Sequence, residues 1–218
     1  MTGARIVVVC TANICRSPFA ELFLRRCLHT AHVTSVEVVS AGTAALVAAQ
    51  IHPLSAAELT LRGIDSASFA PRQVDRRILA ESDLVLTMTR AHRGELLDRE
   101  PGALRRTFTF REFATLVGHP SAGRADSFAG LVQAAYLARS SSPGAVNGEE
   151  ADIADPFGGT HEAFAEMAGS IERDARTIAH AISLLSEPEP SALGAGAERV
   201  DAVQPFRQEP GPFRRPRR

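Results

Sequence analysis

Cys10 and Arg16, which stand six positions apart, are the residues of this chain best suited to do chemistry. A cysteine thiolate is a strong nucleophile, and an arginine guanidinium can bind two oxygens of a tetrahedral anion at once. Ser17 follows directly and can donate its hydroxyl hydrogen to the sulfur, which would favour the sulfur as a leaving group. The spacing predicts a nucleophile inside a loop that binds an oxyanion. Because Cys and Arg often fall at this spacing by chance, the prediction depends on the surrounding elements.

Those elements place the pair at the end of a strand and the start of a helix. Residues 6–9 are a β-branched apolar run, and residues 19–26 are apolar at helical spacing. Pro18 suits the first helical turn, where a missing N–H costs nothing. The start of a helix offers unpaired N–H groups and the positive end of the helix dipole. This position would bind an anion and favour the thiolate of Cys10.

Strands and helices alternate along the chain, which predicts an α/β fold with a parallel sheet between two helical layers. The predicted strands are residues 4–10, 36–42, 83–88 and 107–110, and the predicted helices are residues 18–31, 53–62, 75–80, 89–97, 111–116, 127–138 and 162–185. In such sheets ligands bind at the carboxyl ends of the strands. Cys10 ends the first strand, so it lies where a ligand is expected.

Three segments in order resemble the low-molecular-weight protein tyrosine phosphatases. Residues 10–18 (Cys-Thr-Ala-Asn-Ile-Cys-Arg-Ser-Pro) resemble the family's N-terminal signature loop. Residues 40–43 (Ser-Ala-Gly-Thr) resemble the segment that supports this loop, and residues 155–159 (Asp-Pro-Phe-Gly-Gly) resemble the general-acid loop, Asp-Pro-Tyr in the family. The resemblance covers about residues 4–186, with a poor match between roughly 117 and 150, and three ordered motifs are far more specific than one. It implies a three-layer α/β/α fold around a four-stranded parallel sheet.

The resemblance also implies a role for each site residue. Cys10 would attack phosphorus and form a phosphocysteine, Arg16 would hold the phosphoryl oxygens, and Asp155 would protonate the leaving group and then activate water. Neither a metal nor another cofactor is implied. The residues implied in substrate or phosphate binding are Thr11, Ala12, Asn13, Ile14, Cys15, Ser17 and Phe157. Ser40 would support the loop through a hydrogen bond to Asn13.

Some positions depart from the family pattern or leave a choice open. Phe157 stands where the family usually has Tyr, and Phe69 stands where it often has a His that is bonded into the loop network. Asp152 competes with Asp155 for the acid role, although the resemblance favours Asp155. Cys15 could form a reversible disulfide with Cys10 or could simply be a packed residue.

Two other functions fit the same loop. Arsenate is also a tetrahedral oxyanion, so an arsenate reductase that uses a small external thiol is an alternative. The version that relays a disulfide through later cysteines is disfavoured, because no cysteine follows Cys27. The second alternative is a phosphate-binding module without catalysis, although Cys10, Arg16 and Asp155 are all present.

Composition bounds the organisation of the chain. We expect one phosphatase domain over residues 1–186, with a divergent segment at 118–150, and a disordered tail rich in Pro, Gly and Arg over residues 187–218. The net charge of -1 does not favour nucleic acid as a partner. No apolar run approaches the ~20 residues of a membrane span, no signal-peptide pattern begins the chain, and three cysteines make no disulfide framework. We therefore expect a cytoplasmic protein that acts on phosphotyrosine-containing proteins. Its oligomeric state stays open.

Overall fold

The computed structural model describes residues 3–118, 125–139 and 149–185. In this part of the chain, four parallel strands form one sheet: β1 (Ala4–Cys10), β2 (Val36–Gly42), β3 (Leu84–Thr87) and β4 (Thr107–Thr109). Their order is β2-β1-β3-β4. The predicted α/β fold with a four-stranded parallel sheet is confirmed. The predicted tail and most of the predicted loop at 140–150 lie outside the described residues.

The described helices are α1 (Arg16–Thr30), α2 (Pro53–Leu61), α3 (Arg76–Ala80), α4 (Arg90–Arg99), α5 (Phe110–Gly118), α6 (Phe128–Ala138) and α7 (His161–Ser183). Two 3-10 turns, Pro101–Arg106 and Glu149–Ala151, were not predicted from the sequence. Helix α5 begins at Phe110, which was expected to end strand β4. The cause is local, because Thr109 and Glu112 bond each other's backbone N–H groups and start the helix there.

Two apolar layers enclose the sheet, since alternate residues of a strand face opposite sides. Ile6 and Val8 of β1 pack into the larger core with α1, α5 and α7. Val7 and Val9 pack into the smaller core, which contains Leu79 of α3 and Leu96 of α4. Central strand β1 is therefore buried on both faces, and it presents Cys10 at its carboxyl end. None of the described helices is long and apolar enough to cross a membrane.

Gly42 lets strand β2 pass close to the loop that follows β1. Gly42 pairs with Cys10 across the sheet, and a Cβ added at Gly42 would lie 2.3 Å from the backbone oxygen of Thr11. No side chain fits at that distance without moving the loop.

We therefore predict that Gly42→Ala lowers the free energy of unfolding by roughly 1–3 kcal/mol, the usual cost of overpacking, and also lowers turnover. Gly94→Ala in α4 is the matched control, because a Cβ there meets no atom within 4 Å. This substitution should raise the free energy of unfolding by roughly 0.5–1 kcal/mol. Urea unfolding and turnover measure both variants. Equal stabilities for the two would contradict the close approach.

Candidate active site

The loop at residues 11–15 turns its carbonyl groups toward the segment that follows β2. The oxygens of Cys10, Thr11 and Ala12 accept hydrogen bonds from the backbone N–H groups of residues 43, 44 and 46, and the oxygen of Ile14 accepts one from His52. None of the described residues accepts a hydrogen bond from the backbone N–H groups of residues 11–15. With the carbonyls fixed outward, these N–H groups form a set of donors suited to an anion.

The sulfur of Cys10 lies beneath this loop, at the end of β1. Its Sγ is 2.9 Å from Ser17 Oγ in the first turn of α1. Asn13 Nδ2 donates to the same oxygen at 2.8 Å, so the Ser17 hydroxyl hydrogen can be donated to the sulfur or to the more distant Ala41 oxygen at 3.5 Å. Ser17 can therefore stabilise negative charge on Cys10.

Arg16 is buried beside the loop, with a side chain only 5% exposed. Its Nη2 donates to Asp155 Oδ2 at 2.5 Å, and its Nη1 donates to the Ile153 oxygen at 3.3 Å. Its Nε is buried and has no hydrogen-bond partner among the described residues. A buried donor without an acceptor is costly, so an anion oxygen at this point would satisfy it.

A buried network holds Asn13, whose φ of 56° is in the left-handed region. Its Nδ2 also donates to Ser40 Oγ at 2.8 Å, and its Oδ1 accepts from the Arg72 backbone N–H at 2.8 Å. The predicted hydrogen bond between Asn13 and Ser40 is present. Phe69, which stands where the family often has a His bonded into the loop network, is partly buried and packs against the larger core. The acceptor of Asn13 is satisfied by the backbone N–H of Arg72.

Glu21 completes this network and was missed in the sequence. Ser40 Oγ donates to Glu21 Oε2 at 2.7 Å, and Glu21 is 3% exposed. Burial raises the pKa of Glu21, although the Ser40 hydrogen bond and the charge of Arg72 oppose this shift. Glu21 follows Ser17 by four residues, so helical periodicity alone places both on one face of α1.

The segment after the second 3-10 turn carries Asp152 and Asp155 to different partners. Asp152 accepts from the Arg90 backbone N–H at 2.8 Å and pairs with its guanidinium, with Nε 3.3 Å from Oδ1. The Ile153 N–H donates to the Met88 oxygen, which ties the segment to the end of β3. Of the two carboxylates, the structure therefore places Asp155 against Arg16.

Phe157 and His52 stand beside the loop as an aromatic pair. Phe157 is 63% exposed, and its ring meets the His52 ring edge-on, with centroids 5.9 Å apart. The His52 ring stacks on Phe164 of α7 at 4.6 Å. This pair forms an apolar wall near Asp155 that can contact a flat ring.

The remaining predicted binding residues lie in the loop with different environments. Ile14 and Cys15 are buried in the larger core, and Ala12 is partly buried against it. Thr11 is exposed, and its Oγ1 lies 2.9 Å from Nε2 of His92. Ala12, Ile14 and Cys15 therefore offer an anion their backbone N–H groups rather than their side chains. No cluster of His, Cys, Asp or Glu suited to a metal occurs in the described segments.

Cys15 stays a thiol at neutral pH, because burial, followed by the charges of Asp155 and Cys10, raises its pKa to about 12. Burial also raises the pKa of Cys27. At pH 7 only about one Cys15 in 10⁵ is then a thiolate.

We predict that iodoacetamide at pH 7 labels Cys10 and leaves Cys15 and Cys27 unlabelled, and that inorganic phosphate slows the labelling. Peptide mapping by mass spectrometry measures this. The selectivity over Cys15 should persist until the pH approaches the pKa of Cys15. Labelling of Cys15 as fast as Cys10 at pH 7 would contradict this account.

The family model described as low molecular weight phosphotyrosine protein phosphatase matches residues 5–130, more than half of the 218-residue chain. The chain belongs to this family. Accordingly it is a low molecular weight phosphatase, and the family that the sequence resembles is confirmed.

Relatives of this phosphatase differ in the activity that they are named for. The chain is 30% identical to a low molecular weight protein-tyrosine-phosphatase, Wzb, of Salmonella typhi over 179 residues, which cover 82% of this chain and 94% of that protein. The YwlE arginine phosphatase of Geobacillus stearothermophilus superimposes with a TM-score of 0.61 at 27% identity, covering 81% and 91%. Wzb of Escherichia coli K30, solved with sulphate, superimposes with a TM-score of 0.60 at 22% identity, covering 82% and 97%, and this supports the fold alone.

Proposed function

We propose that this phosphatase hydrolyses the aryl phosphate ester of phosphotyrosine in proteins, through a phosphocysteine on Cys10 and without a metal. The observation that carries the proposal is the buried Nε of Arg16, which has no partner among the described residues. It lies next to a loop whose N–H groups are also free of acceptors in the described chain. Together these donors fit the equatorial oxygens of a phosphoryl group in transfer.

In the first step the Cys10 thiolate attacks phosphorus while the bond from phosphorus to the aryl oxygen breaks. Asp155 gives its proton to the leaving oxygen, so that a phenol departs. Arg16 and the N–H groups of residues 11–16 balance the charge on the phosphoryl oxygens. The position of Asp155, whose Oδ2 is 2.5 Å from Arg16 Nη2, supports its role at this point.

In the second step water attacks the phosphocysteine and the bond between sulfur and phosphorus breaks. The Asp155 carboxylate takes the proton from water, which returns the acid to its starting state. The Ser17 hydroxyl, 2.9 Å from Cys10 Sγ, donates to the departing sulfur. Inorganic phosphate and the thiolate are the products.

The depth of Cys10 favours an aryl ester. Cys10 is 2% exposed, so its sulfur is reached only by a phosphate carried on a narrow, extended group. The exposed ring of Phe157 beside His52 would contact the tyrosine ring. The Salmonella relative named as a protein-tyrosine-phosphatase supports the same substrate.

Phosphoarginine is a second candidate substrate, because the Geobacillus stearothermophilus relative at 29% identity is named a protein-arginine-phosphatase. An aromatic wall can stack on a guanidine group as well as on a phenol ring, so a direct comparison of the two substrates decides between them. Arsenate reduction would use the same anion cradle, formed by the N–H groups of residues 11–16 and the Arg16 side chain, together with an external thiol.

A panel of substrates tests the proposal. Purified protein with a chelator is assayed on phosphotyrosine, phosphoarginine and phosphoserine peptides, and on arsenate with glutathione. We expect kcat/KM for phosphotyrosine to exceed the others by at least about tenfold, which corresponds to about 1.4 kcal/mol. Cys10→Ser should retain peptide binding and lose turnover. A preference for phosphoarginine or for arsenate would replace the proposed substrate, and binding without any turnover would leave a phosphate-binding module.

We further propose that the protein works in the cytoplasm, because a reducing compartment keeps a thiolate nucleophile from oxidation and the three cysteines are free. Cell fractionation with an antibody to the protein tests this. Recovery in the periplasmic or secreted fraction would contradict it.

A further inference from the structure

His92 lies at the start of α4 and touches the loop from outside. It is 7% exposed, and its Nε2 is 2.9 Å from Oγ1 of Thr11, the residue directly after the nucleophile. Its Nδ1 is 2.8 Å from Oγ1 of Thr89, which also accepts the His92 backbone N–H at 3.2 Å. The imidazole therefore joins the first residue of the loop to the N-cap of α4.

Both partners of the imidazole are hydroxyl groups, which can donate or accept. A neutral His92 donates from one nitrogen and accepts at the other. A charged His92 donates from both, and the oxygens of Thr11 and Thr89 can both accept. The same geometry therefore serves either protonation state without leaving a buried polar atom unpaired.

Charged groups from three elements face this ring. Burial lowers the pKa of His92, and the next largest cause is the positive charge of Arg16 on α1. The negative charges of Glu95 on α4, and of Asp155 and Asp152 on the segment after the second 3-10 turn, oppose this shift. The nearby arginines of α4 are Arg90, which pairs with Asp152, and Arg93, which pairs with Glu112. A dianion bound to Arg16 would offset the charge of that arginine and favour the imidazolium.

We propose that His92 is a positioning residue of the anion cradle, which holds Thr11 in place and takes a proton from water when a phosphate dianion enters. The proposal rests on the proposed function only in taking this loop as the phosphate site. By linkage, a dianion that favours the imidazolium must bind more tightly where His92 can be protonated. Substrate binding would then strengthen the contact that fixes the loop.

The test follows the His92 imidazole by NMR in the Cys10→Ser protein, in which no thiol titrates at this site. Sulfate is the probe, because it stays a dianion over the pH range of histidine titration. We expect saturating sulfate to raise the pKa of His92 by about one unit, which means that the imidazole binds its proton about tenfold more tightly. His180 is the control, because it is exposed and far from the loop. It lies roughly 24 Å along α7 from Phe164, the residue of that helix that stacks on His52 beside the loop.

Variants separate positioning from simple packing. In the Cys10→Ser protein, His92→Gln keeps a polar group near Thr11 but cannot titrate, so the affinity for sulfate should no longer fall as the pH rises. Thr11→Val removes the hydroxyl that His92 contacts. In the protein that keeps Cys10, the double variant His92→Gln, Thr11→Val should lower kcat/KM little more than either single substitution does. Thr11→Ser keeps the hydroxyl, so this variant should show the same pH dependence of sulfate affinity as the protein with Thr11.

Three results would overturn the proposal: a His92 pKa that does not move with saturating sulfate, an unchanged pH dependence in His92→Gln, or a cradle that does not bind sulfate. Loss of the proposed function looks different. In that case sulfate would still raise the pKa of His92, while the wild-type protein would not turn over phosphotyrosine.

Discussion

Replacing Asp155 with Asn should lower kcat by roughly 10²–10⁴-fold, the usual contribution of a general acid, and should lower KM as well. The second effect follows from the ion pair between Asp155 and Arg16, in which Oδ2 lies 2.5 Å from Nη2. A phosphate must compete with this carboxylate for the guanidinium. The neutral amide competes less, so substrate and inorganic phosphate should both bind more tightly.

The dependence on leaving group makes this prediction specific. An acid matters most when the leaving oxygen is basic, so Asp155→Asn should impair phenyl phosphate far more than p-nitrophenyl phosphate. Asp152→Asn is the matched control, because its carboxylate pairs with Arg90 instead. Steady-state kinetics on both esters measure kcat and KM for each variant. An equal loss of kcat/KM on both esters would contradict the role of Asp155 as general acid, and an unchanged KM would contradict its competition with phosphate for Arg16.

Glu112→Gln should lower the free energy of unfolding by roughly 3–5 kcal/mol, because it removes one partner of a buried ion pair. Glu112 is fully buried, and its carboxylate accepts from Arg93 at 2.8 Å and from Arg139 Nε at 2.7 Å. It also accepts the Thr109 backbone N–H at 3.0 Å. The substitution leaves two guanidinium groups without their shared countercharge.

This ion triad connects α4, α5 and the end of α6. The Arg139 guanidinium also lies 4.1 Å from the ring centroid of Phe108, so the triad presses on strand β4. Glu95→Gln is the control, since Glu95 pairs with Arg99 on the surface of α4, and such pairs contribute only about 0.2–1 kcal/mol. Urea unfolding measures both variants. Equal destabilisation by the two would show that the triad does not stabilise the fold.

The parts of the fold that local sequence determines could be predicted. The apolar run before Cys10 predicted strand β1 with the observed bounds, Ala4–Cys10. The strand at Val36–Gly42 was also predicted with its observed bounds. Both strands are runs of β-branched residues that end at a turn, so period and composition agree. The helix α1 was predicted to begin at 18, whereas it begins at Arg16 and has no side-chain cap.

Contacts between distant parts of the chain could not be predicted. His92 reaches Thr11 across 81 positions, and Arg139 reaches Glu112 across 27. Neither pair has a local pattern, since each forms only when α4 or α6 packs beside the sheet. The resemblance implied a role for Asp155 and for Arg16, but the contact between their side chains was not predicted. Burial of polar groups such as Glu21 depends on partners that the sequence order does not reveal.

The covalent phosphocysteine on Cys10 is the central claim, and trapping it is the most direct test. Wild-type protein is mixed with excess p-nitrophenyl phosphate and a chelator, quenched within one turnover, digested and mapped by mass spectrometry. Cys15→Ser and Cys10→Ser are treated in parallel. We predict one phosphoryl group on Cys10 in the wild type and in Cys15→Ser, and none on any cysteine in Cys10→Ser. Turnover at the wild-type rate by Cys10→Ser, or a phosphoryl group on another residue of the wild type, would contradict the account.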